Sequence, residues 1–194
     1  MPRGGSDTRA EIVRVAMRLF VEQGYDKTSL REIAEELGVT KAALYYHFRT
    51  KEDIAKEAMT DYAARVQAII DWLGTAQDDP GRDEQFVDRM LELITTDGGL
   101  VLRFSQANPT VMARDDFGGA HVSQVAAMIT GLAGPDPDPE ATTRATLAFG
   151  ALMIGTLQPL GNLAIGAPST PEERLAASRR VALELLAGLP TSKR

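Results

Sequence analysis

In the stretch "TSLREIAEELGVTKAALYYHFRTKEDI", residues 28–54, two short helical patterns flank a single glycine. The first pattern is predicted to start at the cap Thr28 and to stop at Gly38, a residue type that commonly ends helices. Only Val39 separates that glycine from Thr40, the predicted cap of the second helix. Two short helices joined by such a turn predict a helix-turn-helix unit, whose second helix lies in the major groove of DNA.

The second helix of this stretch has two faces of different chemistry. At about 100° per residue, Leu44 and Phe48 lie on an arc that would face the core of the unit. Lys41, Tyr45 and Tyr46 lie on an arc that faces away from it. Tyrosine hydroxyls and lysine ammonium groups can donate hydrogen bonds to phosphate oxygens, so the outward arc is a candidate DNA-binding surface.

A plainer interpretation of the adjacent tyrosines is that they cover apolar surface of the protein itself. The neighbouring residues favour DNA instead, because small Ala42 and Ala43 would let the helix backbone approach a groove. Three helices are predicted to begin at Thr28, Thr40 and Thr50. The N-terminus of each helix adds unpaired amide groups and partial positive charge, which attract phosphate.

Composition restricts the classes of protein that fit. The formal net charge of −6 argues against general attraction to nucleic acid or to an anionic membrane, so any DNA contact must be local. The absence of cysteine excludes disulfides and thiolate metal sites, and it fits a reducing compartment. Residues 1–6 lack the apolar run of a signal peptide, so a cytoplasmic protein is expected.

Helical patterns also fill the rest of the chain, and no window alternates as a half-buried strand does, so the predicted fold class is all-α. The predicted boundaries are a capping box from Thr8 to Glu11, a long helix from Thr50 to Gly74, an interruption at 97–99, a helix from Asn108 to about Leu132, a proline-rich linker at 134–139 and a last helix from Thr170 to Gly188. The uncharged segment 145–171 is long enough to cross a bilayer, but polar residues and a proline at 158–162 favour a helix buried inside the protein or at a subunit interface.

Together with Gly24 and Tyr25 before it, the opening stretch closely resembles the DNA-binding domain of the TetR family of bacterial transcriptional regulators, which are all-α homodimers. The resemblance covers residues 8–60 and rests on the spaced elements Thr-Ser-apolar, Ile-Ala, Leu-Gly-Val, Tyr-Tyr-His-Phe and Lys-Glu. It implies an N-terminal three-helix helix-turn-helix DNA-binding domain at residues 1–50, joined by a long helix starting near residue 51 to a larger helical domain at residues 51–194. That C-terminal domain would bind a ligand and form the dimer.

The resemblance also implies roles for individual residues in DNA binding. Base edges or the adjacent backbone would be contacted by Thr40, Lys41, Ala42 and Tyr46, and phosphates by Thr28, Tyr45, His47 and Lys51. Arg31 would reach a base from the preceding helix. The helical wheel places His47 at the edge of the buried arc, so a half-buried hydrogen-bonding role is an equal alternative for this residue.

For the C-terminal domain, the resemblance implies a ligand cavity among the middle helices and a four-helix bundle across a two-fold axis. Candidate cavity residues, for each of which ordinary core packing is the stronger alternative, are Trp72, Phe86, Met90, Phe104, Met112, Phe117, His121 and Met128. Candidate dimer residues are Phe149, Met153, Ile154, Leu157, Leu175, Val181, Leu185 and Leu186. The apolar residues around 149–157 exceed what one subunit could easily hide, which independently favours a dimer.

These observations predict a sequence-specific DNA-binding transcriptional regulator, a homodimeric repressor that a small-molecule effector releases from a palindromic operator. No cofactor, metal or membrane partner is expected. The alternatives are a ligand-binding or adaptor protein with a vestigial helix-turn-helix, and a regulator that acts as an activator. An enzyme is not expected, because the chain has two histidines, no cysteine and no glycine-rich phosphate loop after a strand.

Overall fold

The computed structural model describes residues 5–112, 117–157, 169–187 and 189. Within these ranges the chain forms ten α-helices and no β-strand, which confirms the predicted all-α fold. The helices are α1 (Gly5–Glu22), α2 (Leu30–Glu36), α3 (Lys41–His47), α4 (Lys51–Thr75), α5 (Arg82–Thr95), α6 (Asp97–Ala107), α7 (Pro109–Met112), α8 (Phe117–Ala133), α9 (Pro139–Leu157) and α10 (Pro171–Leu186).

Contacts between residues divide the chain into two compact units. The first unit combines Met1–Ala64 with Asp97–Gly118, and the second combines Arg65–Thr96 with Gly119–Arg194. Helix α4 therefore contributes its beginning to the first unit and its end to the second. The predicted boundary between a DNA-binding and a ligand-binding domain near residue 51 concerns function and stays a prediction.

An aromatic cluster lies in the core of the first unit. Phe20 of α1 is fully buried, and its ring centroid lies 4.9 Å from that of Tyr25 and 5.8 Å from that of Phe104 in α6. Tyr25 and Phe104 meet edge to face at 5.5 Å, an arrangement that the quadrupoles of aromatic rings favour. Leu44 of α3 and the following Phe48 are also buried, which confirms the inward arc predicted for that helix.

The start of α2 differs from the prediction by one residue. Ser29, not Thr28, is the N-cap, because its hydroxyl accepts a hydrogen bond from Glu32 N while the Glu32 carboxylate accepts one from Ser29 N at 2.7 Å. Thr28 is instead buried, and its hydroxyl donates to Gly24 O at 2.9 Å. Residues 29–32 carry the Ser-x-x-Glu capping box, which distinguishes the two adjacent candidates.

Two other predicted boundaries are wrong. Helix α1 begins at Gly5 rather than at Thr8, since threonine inside a helix costs less than about 1 kcal/mol and does not stop the helix. The break between α5 and α6 falls at the extended residue Thr96. Gly98 and Gly99 lie buried in the first turn of α6, because propensity is a weak determinant that tertiary packing of the helix overrides.

The remaining boundaries agree with the prediction within one or two residues. The Thr50 hydroxyl accepts from Asp53 N at 3.1 Å at the start of α4, and Thr170 caps α10 with a complete capping box. The linker before α9 begins at Gly134, whose φ of +97° favours glycine. The predicted helix from 108 to 132 is represented by α7 and α8, and residues 113–116 between them lie outside the described residues.

Helices α5, α9 and α10 build much of the second unit. Helix α9 packs along α10, and Arg179 of α10 donates to Asp88 of α5 at 2.9 Å. Arg82 at the start of α5 is buried, and its guanidinium donates to Leu132 O at 3.3 Å. None of the described helices is both long enough and apolar enough to cross a membrane.

Candidate nucleic-acid interface

Local geometry makes α3 a short, firmly seated helix. Gly38 has a φ of +66°, so the turn before α3 uses a conformation that other residue types rarely adopt. The Thr40 hydroxyl accepts a hydrogen bond from Ala43 N at 3.2 Å, which confirms Thr40 as the N-cap. Because Leu44 and Phe48 are buried, the seven-residue helix is anchored along one side.

The opposite side of α3 is exposed, and we call Thr40, Lys41, Ala42, Tyr45 and Tyr46 its reading face. Tyr45 has 43% of its surface exposed and Tyr46 has 86%, which are high values for large aromatic side chains. The Lys41 ammonium lies 5.4 Å from the Tyr45 ring centroid, within cation–π range. The structure thus confirms the outward arc and brings five predicted DNA-contacting residues onto one accessible surface.

His47 lies at the border of the reading face. Its side chain is half-buried, and its ring meets that of Tyr46 edge to face with 5.3 Å between the centroids. Its backbone oxygen accepts a hydrogen bond from Arg9 Nη1 at 2.7 Å. The half-buried alternative therefore describes the position of His47, while a phosphate contact by its ring stays a prediction.

Two of the residues predicted to hold phosphates make contacts within the protein. Lys51 Nζ donates to Tyr25 O at 2.7 Å and to Thr28 O at 3.3 Å, and it lies 4.4 Å from the Tyr25 ring centroid. Together with the buried Thr28 hydroxyl, these contacts fix the turn between α1 and α2. A phosphate would have to compete with backbone carbonyls for the Lys51 ammonium.

Arg31 projects from α2 into solvent and forms an ion pair along its own helix. Its Nε donates to Glu35 Oε1 at 2.7 Å, and this hydrogen bond raises the pKa of Arg31. An exposed pair of this kind is weak, because water screens both charges. The Arg31 side chain could therefore leave Glu35 and contact the edge of a base at little cost in free energy, which is compatible with the predicted contact.

Sequence reasoning missed a depression beside the C-terminal end of α3. It has a volume of about 400 Å3, and its lining consists of Arg9, His47, Phe48, Arg49, Asp53, Lys56, Glu57 and Thr60. Arg49 and Lys56 are exposed, and as cations they are further candidates for phosphate contacts. Arg49 and Lys56 follow the paired tyrosines closely in the sequence, and this position was the signal that could have identified them as candidates. Arg9 had no local signal, because it is 38 residues from His47 in sequence.

A family model described as bacterial regulatory proteins, tetR family, matches residues 12–58. Residues 12–58 are therefore a TetR-family domain. The HTH-type transcriptional regulator AcrR of Shigella flexneri is 51% identical over 51 residues, which are 26% of this chain and 24% of that protein. The HTH-type transcriptional repressor KstR2 of Mycolicibacterium smegmatis is 30% identical over 87 residues, 45% of this chain and 36% of that protein. The matches thus span between about a quarter and just over a third of these relatives.

The likeness in fold extends beyond the TetR-type domain. The solved structure of the ketosteroid transcriptional regulator KstR2 of Mycobacterium tuberculosis aligns over 96% of both chains with a TM-score of 0.66 and 19% identity. At this identity the comparison concerns the fold alone. It shows an N-terminal helix-turn-helix domain followed by a C-terminal helical domain.

The residues predicted to line a ligand cavity occupy different environments in the TetR-type fold. Phe86, Met90 and Met128 are fully buried, Trp72, Met112 and His121 are half-buried, and the side chain of Phe117 lies outside the described residues. Burial lowers the pKa of His121. Phe104 belongs to the aromatic cluster of the first unit, because it packs against Phe20 and Tyr25, which is the core packing given as its alternative, and its place in a cavity stays a prediction.

A cleft of about 350 Å3 lies between the end of α4 and α5 in the second unit. It has an apolar floor and a charged rim, and its lining consists of Arg65, Ala68, Ile69, Arg89, Glu92, Leu93 and Thr96. Among the predicted cavity residues, Trp72 adjoins the cleft, since the Arg89 guanidinium lies 4.5 Å from its ring centroid. The described residues contain no group of three or more His, Cys, Asp or Glu side chains that could hold a metal ion.

The predicted dimer residues divide between the surface and the core of the C-terminal helices. Ile154 is 56% exposed and Val181 is 44% exposed. Phe149, Met153, Leu175 and Leu185 are half-buried, and the side chain of Leu157 lies outside the described residues. Leu186 is fully buried by its own chain and has no surface to offer a partner, which corrects its assignment. Leu147, 54% exposed and two helical turns before Ile154, was missed.

Proposed function

We propose that this chain is a transcriptional repressor that binds operator DNA through the reading face of α3. The proposal rests on the 86% exposure of Tyr46, beside Tyr45 and Lys41, on a helix whose other side is buried. An exposed cluster of aromatic side chains indicates a partner, because a monomer gains nothing from leaving it in water. Hydroxyl and ammonium groups are donors, which suits the acceptor-rich phosphates and base edges of DNA.

Positive charge near α3 supports the same partner despite the formal charge of −6 on the whole chain. Lys41 on α3 and Arg49 and Lys56 beside its C-terminal end are exposed, so these cations could attract phosphate locally. Thr28 and Lys51 would contribute indirectly, since they hold the turn between α1 and α2. Affinity should fall steeply with salt, because each phosphate that is neutralised releases counterions.

The protein would act as a homodimer through α9 and α10. Leu147 and Ile154 lie two turns apart on α9, and Val181 adds an exposed aliphatic side chain on α10. Half-buried Phe149, Met153, Leu175 and Leu185 would surround them. Two-fold symmetry of the protein predicts a roughly palindromic operator, with half-site centres about one helical turn or a multiple apart.

A small-molecule effector would release the DNA by favouring a conformation in which the two reading faces no longer fit the operator. The cleft between α4 and α5 is the candidate binding site for the effector, since its lining combines apolar side chains with charged ones. A hundredfold preference of the effector for the released state would shift the equilibrium by about 2.7 kcal/mol, and equal affinity for both states would shift nothing. This role requires no catalytic group, and its setting would be the bacterial cytoplasm.

Selection of bound duplexes from random DNA by the purified full chain tests the proposal. The expected result is enrichment of an inverted repeat, with binding that weakens as salt rises. A parallel selection with the variant Tyr45→Ala/Tyr46→Ala should enrich no sequence. If the wild-type chain also fails to enrich any sequence at low salt, the chain is not an operator-binding repressor.

A further inference from the structure

We infer that Arg9 is a positioning residue that sets the orientation of α3 by tying its C-terminal end to α4. The inference rests on the proposed DNA-binding function, because it concerns how well the reading face is presented to DNA. Arg9 lies on α1, yet each part of its guanidinium is used by another segment of the first unit. It is thus a link among three helices.

The contacts of the guanidinium are specific. Nη1 donates to His47 O, the last residue of α3, at 2.7 Å. Nε donates to both carboxylate oxygens of Glu57 on α4, at 2.8 and 3.0 Å, and Nη2 donates to the same carboxylate. The guanidinium carbon lies 4.1 Å from the centroid of the Phe48 ring, so the planar group also packs on the residue that anchors α3.

The need for such a link follows from the shortness of α3. The last carbonyls of a helix have no partner within it, and Phe48 after α3 is already in an extended conformation. Arg9 supplies the donor for His47 O, directly behind the exposed Tyr46. Without it, the end of the helix that carries the reading tyrosine would be held only by its apolar side.

The geometry also explains why arginine is required. A guanidinium presents several donors in one plane and can stack on an aromatic ring while it binds a carboxylate. A lysine ammonium could pair with Glu57, but it could not also stack on Phe48 and reach His47 O in the same arrangement. Because Glu57 belongs to α4, any displacement of the first turns of α4 relative to α1 would act on α3 through Arg9.

Arg18 provides a matched control on the same helix. Its guanidinium pairs with Glu36 of α2 and with Glu22 of α1, so it is also an ion-paired arginine of the first unit. These pairs are exposed and join α1 to α2 rather than to the end of α3. Replacing Arg18 removes a similar charge and a similar number of side-chain atoms.

The test compares Arg9→Gln, Arg9→Lys and Arg18→Gln in the full-length protein. The first measurement is the ratio of affinities for the selected duplex and for a scrambled duplex. Arg9→Gln and Arg9→Lys should each lower this ratio by about tenfold, the loss expected for a hydrogen bond to a charged group. Arg9→Lys should keep the Tm near that of the wild type, because its ion pair with Glu57 persists. Arg18→Gln should leave the ratio unchanged.

The second measurement, hydrogen exchange of the α3 amides without DNA, separates this inference from the proposed function. Exchange should be faster in both Arg9 variants and unchanged in Arg18→Gln, because a loosened helix end opens more often. Unchanged exchange in the Arg9 variants overturns the inference, whatever the DNA result. A wild-type affinity ratio in Arg9→Lys also overturns it, since the charge alone would then suffice. A wild-type protein that prefers no duplex refutes the proposed function, and the exchange result still decides the role of Arg9.

Discussion

Helix α3 and the pair formed by α9 and α10 both expose apolar side chains, but of different kinds. On α3 the exposed groups are tyrosines with hydroxyls at their tips, next to a lysine, over a buried leucine and phenylalanine. On α9 and α10 they are Leu147, Ile154 and Val181, which carry no polar atom in their side chains. The first surface can satisfy hydrogen-bond acceptors, and the second can gain only by contact with another apolar surface.

Exposure of a side chain alone therefore does not indicate which partner its surface binds. The chemistry at the tips of the side chains and the way the helix is held must be considered together. The reading face is held by a cap, a glycine turn and an arginine link, which would suit the proposed binding to a rigid duplex. The aliphatic surface lies on long helices that pack along each other, which suits an extended contact between two copies of the chain.

Phe48→Ala should have the largest effect, because it removes the anchor of α3. Truncation of a fully packed phenylalanine costs about 3–5 kcal/mol of unfolding free energy. Tyr46→Ala, on the opposite face of the same helix, should change that free energy by no more than about 0.5 kcal/mol. Chemical denaturation of both variants measures the contrast. Equal destabilisation by the two substitutions would show that Tyr46 is packed rather than free to bind.

Ile154→Asp should disrupt the proposed dimer contact through the aliphatic surface of α9 and α10. A carboxylate placed in an apolar interface loses its hydration without gaining a partner, so the dimer dissociation constant should rise at least about a hundredfold. Val122→Asp is the matched control, because Val122 is 68% exposed on α8 and is outside the proposed interface. Sedimentation analysis over a range of protein concentrations measures both. A dimer that survives Ile154→Asp but not Val122→Asp would move the interface to α8.

A change of pH should have the smallest effect, and the group considered, His121, lies in the second unit. Burial lowers the pKa of His121 below its usual value of 6.5, so the unfolded chain binds more protons than the folded chain below that pH. Stability contributed by neutral His121 is therefore present above pH 6.5 and is lost as the pH falls through the lowered value. Unfolding free energies of the wild type and of His121→Gln between pH 7.5 and 5 measure this, and equal slopes would contradict it.

The sequence predicted the parts of the molecule that local rules govern. Gly38, the Thr40 cap and the two arcs of α3 follow from spacing and residue type alone, and the structure confirms them. Thr28 was mistaken for a cap because Ser29 beside it is an equally good cap by residue type, and only the pairing with Glu32 distinguishes the two. That pairing was present in the sequence.

The remainder depended on contacts between distant residues. Helical periodicity shows that Leu186 lies on the apolar face of α10. It does not show whether the same chain or a second copy of the chain covers that face. The packing of Phe104 could not be predicted locally either, because its partners Phe20 and Tyr25 come from another part of the chain. Arg9 contacts His47 and Glu57, which are 38 and 48 positions away from it in the sequence. No local pattern encodes contacts over such separations.

The reading face is tested by the affinity of Tyr45→Ala/Tyr46→Ala for the selected duplex, measured by fluorescence anisotropy at fixed salt and compared with the wild type and with Val122→Ala. If the reading face binds DNA, the double variant should bind about a hundredfold more weakly, through the loss of two hydrogen bonds to charged groups, while its Tm and the affinity of Val122→Ala stay unchanged. Wild-type affinity in a folded double variant would contradict the assignment of this surface to DNA.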